Sequence, residues 1–372
     1  MKRLLIVHPD LGGGGAEKAL INLLNNIDYN KYSITLMLLH KNGIYLDKLN
    51  KNVKLKWIHD PYKIKNKFLK KVYCKIMMTL FEKYPKLLHG ILAGKKYDVE
   101  IGFLEGETTN FINNSINKAS NKIAWIHTDV TKYSEERKNR EEGNYTNINK
   151  IICVSKIAKN NFDKLYNQYS HKTMTIYNIV DIDEIIKLSK EKIDYKKDCP
   201  TIISVGRLVE EKRFDLFIKA HSELIKEGIN HKAIILGTGK LEGELKELIK
   251  ELNVENSFQL LGFKKNPYPY INNADIFVMT SDFEGLPMVI FEAIALKKTI
   301  VSTKFDAAKE LLSNYSSSVL IDCGDYIAIK EAIKKVLANK NNVNEYKKRS
   351  EHKITTFKTE NIMKEIYAVL DN

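Results

Sequence analysis

Long apolar runs are missing from this chain. Nothing in its 372 residues is continuously apolar for the roughly 20 positions that a membrane-crossing helix needs. The opening offers only Leu4, Leu5, Ile6 and Val7 before Pro9, which predicts no secretory leader. Cysteine is scarce: Cys74, Cys153, Cys199 and Cys323 stand singly with no Cys-x-x-Cys pair, which argues against both a zinc site and a disulfide framework. Reduced thiols and a cytoplasmic location are the expectation. Two phosphate-binding patterns are also absent, since neither a P-loop ending in Lys-Ser/Thr nor the third glycine of a dinucleotide fingerprint occurs.

What is present suits a soluble globular chain, with 44% hydrophobic and 28% charged residues and enough length for about two domains. A formal net charge of +14 favours an acidic partner, whether nucleic acid, anionic lipid or a phosphorylated substrate. Charge alone does not choose among them. No aromatic-interleaved RNA or DNA module is recognisable, so no nucleic acid is expected.

Short apolar runs, each followed by a helical pattern, predict parallel sheets covered by helices, an α/β fold. Residues 4–8, 33–39, 99–104, 122–126 and 151–154 are strand candidates of a first series. Residues 201–205, 233–236, 257–261, 276–279 and 299–302 begin a second. The expectation is a Rossmann-like domain over 1–178 and another over 179–354, with residues 178–183 as the hinge and a helix at about 355–372 packing back on the first. Residues 63–96 depart from the rhythm. Leu69, Val72, Tyr73, Ile76, Leu80 and Tyr84 fall at helical spacing among Lys63, Lys65, Lys67, Lys70, Lys71, Lys75, Lys83 and Lys86, so the helix ends near Pro85. Such a helix is suited either to an anionic membrane surface or to an ordinary solvated position on the domain.

Ligands of open parallel sheets sit beyond the carboxyl ends of the strands. Gly12, Gly13, Gly14 and Gly15 follow the first strand, where successive glycines let backbone N–H groups approach an anion or sugar. Gly206 and Arg207 follow another strand, with Lys212 five residues on; the two cations either stabilise a departing diphosphate or are plain surface charges. Glu284-Gly285-Leu286-Pro287-Met288-Val289-Ile290-Phe291-Glu292 follows a third strand, with Pro287 suited to the first turn of a helix whose free N–H groups face a phosphate.

Taken in order, Gly-Gly-Gly-Ala-Glu at 13–17, Asn178-Ile179-Val180-Asp181, Gly206-Arg207 with Lys212, and Glu284 to Glu292 resemble the family-4 retaining glycosyltransferases of GT-B fold. The resemblance spans nearly the whole chain. It implies two Rossmann-like domains facing across a cleft, with a nucleoside diphosphate sugar as donor, a uracil nucleotide by default. Arg207 and Lys212 would hold the diphosphate, Glu284 the transferred sugar and Glu292 the ribose hydroxyls. Gly206 and the segment Gly285, Leu286, Pro287, Met288 and Val289 would complete the phosphate site. Gly262, Phe263 and Lys264 would border the base, Gly13, Gly14 and Gly15 would approach from the other domain, and His127 would face the sugar. No carboxylate pair serves as a protein nucleophile. The resemblance implies a front-face displacement in which the leaving phosphate takes the acceptor proton, with no metal and no cofactor.

Asp181-Ile182-Asp183 imitates the Asp-x-Asp metal motif of another glycosyltransferase fold but lies in the hinge. Relatives often have glycine ahead of the acidic residue of a late loop, where this chain has Asp306-Ala307-Ala308-Lys309-Glu310. For the acceptor, Glu105, Glu107 and Thr108 are the candidates. A polyprenyl-linked glycan at the inner face of the membrane, in capsule or related cell-surface polysaccharide synthesis, would account for both the charge and the basic helix. A GT-B epimerase or phosphorylase, and a nucleic-acid-binding protein, are the competing readings.

Overall fold

The computed structural model describes residues 1–60, 64, 66–193, 195, 197–338 and 357–371. Its contacts divide the chain into two units, Met1–Ile179 with Thr359–Asn372 and Val180–Lys358.

Unit 1 is a seven-stranded parallel sheet. In chain order its elements are β1 (Lys2–His8), α1 (Gly15–Asn26), β2 (Tyr32–His40), β3 (Lys54–His59), α2 (Lys67–Lys83), α3 (Pro85–Leu92), β4 (Val99–Gly102), α4 (Glu107–Asn113), β5 (Asn121–Ile126), α5 (Glu135–Glu142), β6 (Lys150–Cys153), α6 (Lys156–Leu165) and β7 (Thr173–Thr175). The strands lie in the order β3-β2-β1-β4-β5-β6-β7. Leu4, Leu5, Ile6 and Val7 are fully buried because β1 is flanked by strands on both sides and covered on both faces, as a run without polar alternation requires. Below the sheet, Phe111, Ile112, Tyr145, Phe162 and Tyr166 form an aromatic-rich core with Leu5, Val7 and Ile126.

Unit 2 repeats the plan with α7 (Ile182–Leu188), β8 (Thr201–Val205), α8 (Phe214–Lys226), β9 (Lys232–Leu236), α9 (Glu242–Glu251), β10 (Phe258–Leu260), α10 (Tyr268–Asn273), β11 (Ile276–Met279), α11 (Met288–Ala295), β12 (Thr299–Thr303), α12 (Asp306–Leu312), β13 (Ser318–Ile321) and α13 (Tyr326–Ala338). Its strand order is β10-β9-β8-β11-β12-β13. In both units the chain steps outward from its first strand and then restarts on that strand's other side, so the order reverses at β1/β4 and at β8/β11. That is the doubly wound arrangement. Phe214, Phe217 and Leu224 of α8 enter a core shared with Ile202, Ile235 and α13's Ile329 and Ile333.

The last helix, α14 (Thr359–Asp371), belongs to unit 1. Ile362, Met363, Ile366, Val369 and Leu370 are buried. Tyr367 stacks on Tyr32 at 5.7 Å, the Tyr32 hydroxyl donates to Asp371 at 2.6 Å, and Lys2 donates to the carbonyls of Leu370 and Asp371 at 3.1 and 2.7 Å. The bounds expected at 354 and 355 lie outside the described residues.

Three strands escaped the sequence pattern: β3, β7 and β13. All lie at sheet edges, where an unpaired side and partial exposure remove the need for a continuous apolar run. Within 63–96 the expected helix, α2, ends at Lys83 just ahead of Pro85 as its spacing predicted, and Pro85 then starts a second helix, α3, that was not expected. The expected apolar stripe is not buried as a stripe: Leu69, Val72, Tyr73, Ile76 and Tyr84 are exposed, as are Phe68, Leu87 and Ile91. The pair is held instead by Phe81, stacked on Phe111 at 5.2 Å, and by fully buried His89 on α3, whose Nε2 lies 3.3 Å from Glu100 of β4. Lys63 and Lys65, and the side chains of Lys67 and Lys70, lie outside the described residues. Among the described residues no helix is long and apolar enough to cross a membrane.

Unit 2 buries a histidine pair. His221 Nδ1 meets His231 Nε2 at 2.8 Å, His221 Nε2 meets the Ser257 hydroxyl at 2.8 Å, and His231 Nδ1 lies 2.8 Å from the Ile229 carbonyl. Burial lowers both pKa values, that of His221 to about 3. The folded state therefore holds them neutral while an unfolded chain would take up protons below pH ~6.5. Their contribution is intact above that pH and is lost progressively as pH falls toward the folded values. We expect the thermal midpoint, followed by circular dichroism, to drop between pH 7.5 and 5, and to drop less in a His221→Leu/His231→Leu variant. Equal drops in both proteins would remove the pair as a source of acid sensitivity.

Candidate functional site

The carboxyl ends of β8 and β11 lie side by side where the strand order of unit 2 reverses, and the loops leaving them carry Gly206, Arg207 and Lys212 on one side and Glu284 to Pro287 on the other. After β8 the chain passes through Gly206 and Arg207 into a short 3-10 turn, Glu210–Lys212. After β11 it runs through residues 280–287 into α11, with Pro287 at the N-cap and Met288 as the first helical residue. Pro287 thus stands one position ahead of the expected first turn.

Lys212 and Glu284 come together. The ammonium of Lys212 donates to Glu284 Oε1, and the Ser281 hydroxyl donates to the same oxygen at 3.1 Å. The two side chains are 14% and 19% exposed, so water screens this pair far less than it screens a surface salt bridge. Gly206 lies against the Lys212 stem, since a β-carbon there would sit 3.4 Å from Lys212 Cε and from Phe214. Arg207 is not joined to the pair. Its side chain is 74% exposed, and among the described residues its one ionic contact is with Glu211 at 4.0 Å. Gly285, Leu286, Pro287 and Met288 are buried and Val289 is partly exposed. Glu292 is 3% exposed on α11, and its charge bears on buried Tyr268 of α10, whose phenol pKa is raised first by burial and then by that carboxylate. In the loop after β10, Phe263 is 47% exposed, and Lys264 lies 5.6 Å from the Tyr270 ring.

Several residues that hold this loop cluster carried no sequence signal of chemistry. The Thr280 hydroxyl donates to the Lys212 carbonyl at 2.7 Å, the Asp282 amide to the Glu211 carbonyl at 2.9 Å, and the Thr303 hydroxyl to the Ser281 carbonyl at 2.6 Å. Gly237, at φ +148°, lies so close to the Gly206 carbonyl that a β-carbon would sit 1.8 Å from its oxygen. Its amide donates to the Gly262 carbonyl at 2.9 Å, while Gly206 donates to Leu236 at 3.0 Å. The β8, β9 and β10 loops are thereby laced together. A Gly-Thr-Gly after β9, at 237–239, was the available clue.

Unit 1 has its own cluster at the matching strand ends. His8 ends β1, Phe103 to Glu105 follow β4, and His127 follows β5. Phe103 lies between the imidazoles, 6.2 Å from His8 and 4.9 Å from His127. His8 Nδ1 is 2.6 Å from the Asp10 carbonyl, so it carries the proton and leaves Nε2 as an acceptor. Both Nε2 atoms are buried without a hydrogen-bond partner among the described residues. Burial lowers the His8 pKa to about 4 and the His127 pKa to about 3, with His8 a second cause for His127. Both rings are neutral at physiological pH and suited to exchanging hydrogen bonds with hydroxyls.

Of the acceptor candidates, Glu105 is buried and its carboxylate is engaged: Oε2 accepts from the His127 amide at 2.9 Å and Oε1 from the Tyr133 hydroxyl at 3.0 Å. Burial raises its pKa against those hydrogen bonds. Thr108 is fully buried, its hydroxyl donating to the Leu104 carbonyl, so it faces backbone and not solvent. Glu107, in the first turn of α4, keeps partial exposure. Gly14 is the N-cap of α1, where a β-carbon would run into the Glu17 carboxylate, and Gly13 takes φ +111°. Gly15 is the first residue of that helix and is exposed. Asp181 caps α7 by accepting from the Glu184 amide at 2.8 Å. Residues 306–310 are the opening turns of α12. No group of three His, Cys, Asp or Glu side chains is disposed for a metal among the described residues.

Residues 186–353 match the family model for glycosyl transferases group 1. An uncharacterised glycosyltransferase of Methanocaldococcus jannaschii is 36% identical over 158 residues, 41% of this chain and 39% of that protein. A Campylobacter jejuni protein, N-acetylgalactosamine-N,N'-diacetylbacillosaminyl-diphospho-undecaprenol 4-alpha-N-acetylgalactosaminyltransferase, is 28% identical across 96% of both chains. Among solved structures, Anabaena HepE in complex with UDP superposes with a TM-score of 0.75 at 18% identity over the full length of both chains. TarM superposes with a TM-score of 0.78 at 14% identity, over 100% of this chain and 99% of that one. The structural likenesses establish the two-unit GT-B fold, and within it residues 186–353 are similar to glycosyl transferases group 1.

Proposed function

We propose that the chain is a retaining, metal-independent transferase that takes a sugar from a nucleoside diphosphate, UDP by preference, and adds it to a polyprenyl-linked glycan in cell-surface polysaccharide synthesis. The observation that carries this reading is the Lys212–Glu284 pair at the reversal of strand order in unit 2, with Gly206 close beside it. A cation placed there before substrate arrives can offset charge that grows on a departing β-phosphate without reorganising first. Glu284, an acceptor of hydrogen bonds, is suited to the hydroxyls of the transferred sugar, and exposed Arg207 can close on the diphosphate. In the proposed step the bond from the anomeric carbon to the phosphate oxygen breaks, the acceptor oxygen bonds to that carbon on the same face, and the acceptor proton passes to the phosphate. The neutral imidazole of His127 is assigned to a sugar hydroxyl, and Glu107 to the acceptor. The UDP in the HepE complex supports the choice of donor, and the substrate in the name of the Campylobacter relative supports a lipid-linked acceptor.

The exposed apolar residues of α2 and α3, set among exposed Lys71, Lys75, Lys83 and Lys86, support contact with an anionic membrane surface, proposed as the inner face of the cytoplasmic membrane. A polyprenyl-linked acceptor would be presented there.

Lys212→Ala and Glu284→Ala should each lower transfer by about 100-fold or more, with unchanged circular dichroism. Near-normal turnover in both would defeat the site assignment. Transfer should persist in excess chelator; a strict requirement for added Mg²⁺ or Mn²⁺ would contradict the metal-free mechanism. Vesicles containing phosphatidylglycerol should bind the protein at low salt and release it at about 0.5 M salt, where charges are screened beyond a few ångströms. Failure to bind at low salt removes the membrane contact.

A further inference from the structure

Arg213 follows Lys212 and has an uncommon backbone, φ 49° and ψ 43°, in the left-handed region. Asn253 and Lys297 share that region, but both stand just past the end of an α-helix, where a left-handed residue is the common termination. Arg213 closes the 3-10 turn Glu210–Lys212 and at the same time starts α8, a position where extended backbone is usual. Glycine would make this corner without steric cost. It would have no side chain to offer.

The arginine side chain reaches across to the other loop. Nε and Nη2 grip the Asp215 carboxylate at 3.1 and 3.3 Å, a fork that fixes the guanidinium plane, and Nη1 then lies 3.5 Å from Asp282 Oδ2. The three groups are each about one third exposed. Asp282 is two residues before Glu284 and already donates its amide to Glu211, while Thr280 binds the carbonyl of Lys212. Two segments, 211–213 and 280–284, are therefore tied at their backbones, and the only ion pairs between them among the described residues are Lys212–Glu284 and Arg213–Asp282.

We infer that Arg213 is a positioning residue that holds the loop bearing Glu284 against the segment bearing Lys212. A phosphate that engages Lys212 competes with Glu284 for the ammonium, and at that moment the Lys212–Glu284 link ceases to hold the two loops in register. Arg213–Asp282 does not compete for the ligand and keeps the carboxylate and the ammonium at working distance. This rests on the proposed glycosyl transfer for its activity arm only.

The test uses Arg213→Gly, which keeps the left-handed corner and removes the reach, and Asp282→Asn, which removes the partner and leaves the corner untouched. Amide hydrogen exchange of the peptide 280–286 should quicken in both variants. The thermal midpoint should move by less than about 3 °C. The kcat for transfer should fall about tenfold, since a misplacement near 1 Å costs up to ~100-fold, while KM for the donor rises less than kcat falls. The double variant should be no worse than the poorer single one. Wild-type exchange over 280–286 in both variants, faster exchange with unchanged kcat, or an additive double variant would each overturn the inference. A wild-type protein without transferase activity would count against the proposed function, and the exchange measurement would still decide Arg213.

Discussion

An ammonium and a carboxylate meet at the carboxyl ends of β8 and β11, and the loop cluster of unit 2 is built around that contact. The sheet makes this contact available because β8 and β11 are neighbours where its strand order reverses, so the loops leaving them start side by side. Neither loop is held by its own sequence alone. The β8 loop leans on Gly237 and the β11 loop on Thr303, and the two are joined by hydrogen bonds from the Thr280 hydroxyl and the Asp282 amide. Charge is thereby fixed in place ahead of any ligand, the condition under which an electrostatic contribution to catalysis is large.

Unit 1 meets the same topological circumstance with different groups. At its reversal, between β1 and β4, burial holds His8 and neighbouring His127 neutral and Glu105 is consumed in supporting the His127 backbone. One unit thus presents fixed charge at its strand ends and the other presents neutral imidazoles. Repetition of one fold within the chain has not meant repetition of one site, because the residues at strand ends vary independently of the strands below them.

The interior strands, and the places of the glycine loop after β1 and of the segment from Glu284 to Glu292 between a strand and a helix, were legible as sequence, since a fully buried parallel strand must be a short apolar run and glycine and proline mark where it stops. Edge strands β3, β7 and β13 were not, because half of each faces no partner and composition there is free. The stripe on α2 was legible as a pattern and misleading as packing: its period is helical, yet Phe81 and His89 do the anchoring and the stripe itself meets solvent. Thr108 was singled out for its place after a strand, although its hydroxyl is spent on the Leu104 carbonyl.

What the sequence by itself determined is the doubly wound α/β plan in two units and the residue types available at the strand ends, because periodicity and loop chemistry are local properties. What only the tertiary structure decided is which of those side chains meet. Lys212 and Glu284 are seventy-two positions apart and touch only because β8 and β11 are neighbours in the sheet; Arg207, five positions from Lys212, points to solvent. Arg213 drew no notice in the sequence, since neither its left-handed dihedral angles nor its partner Asp282 in a neighbouring loop is written in local spacing.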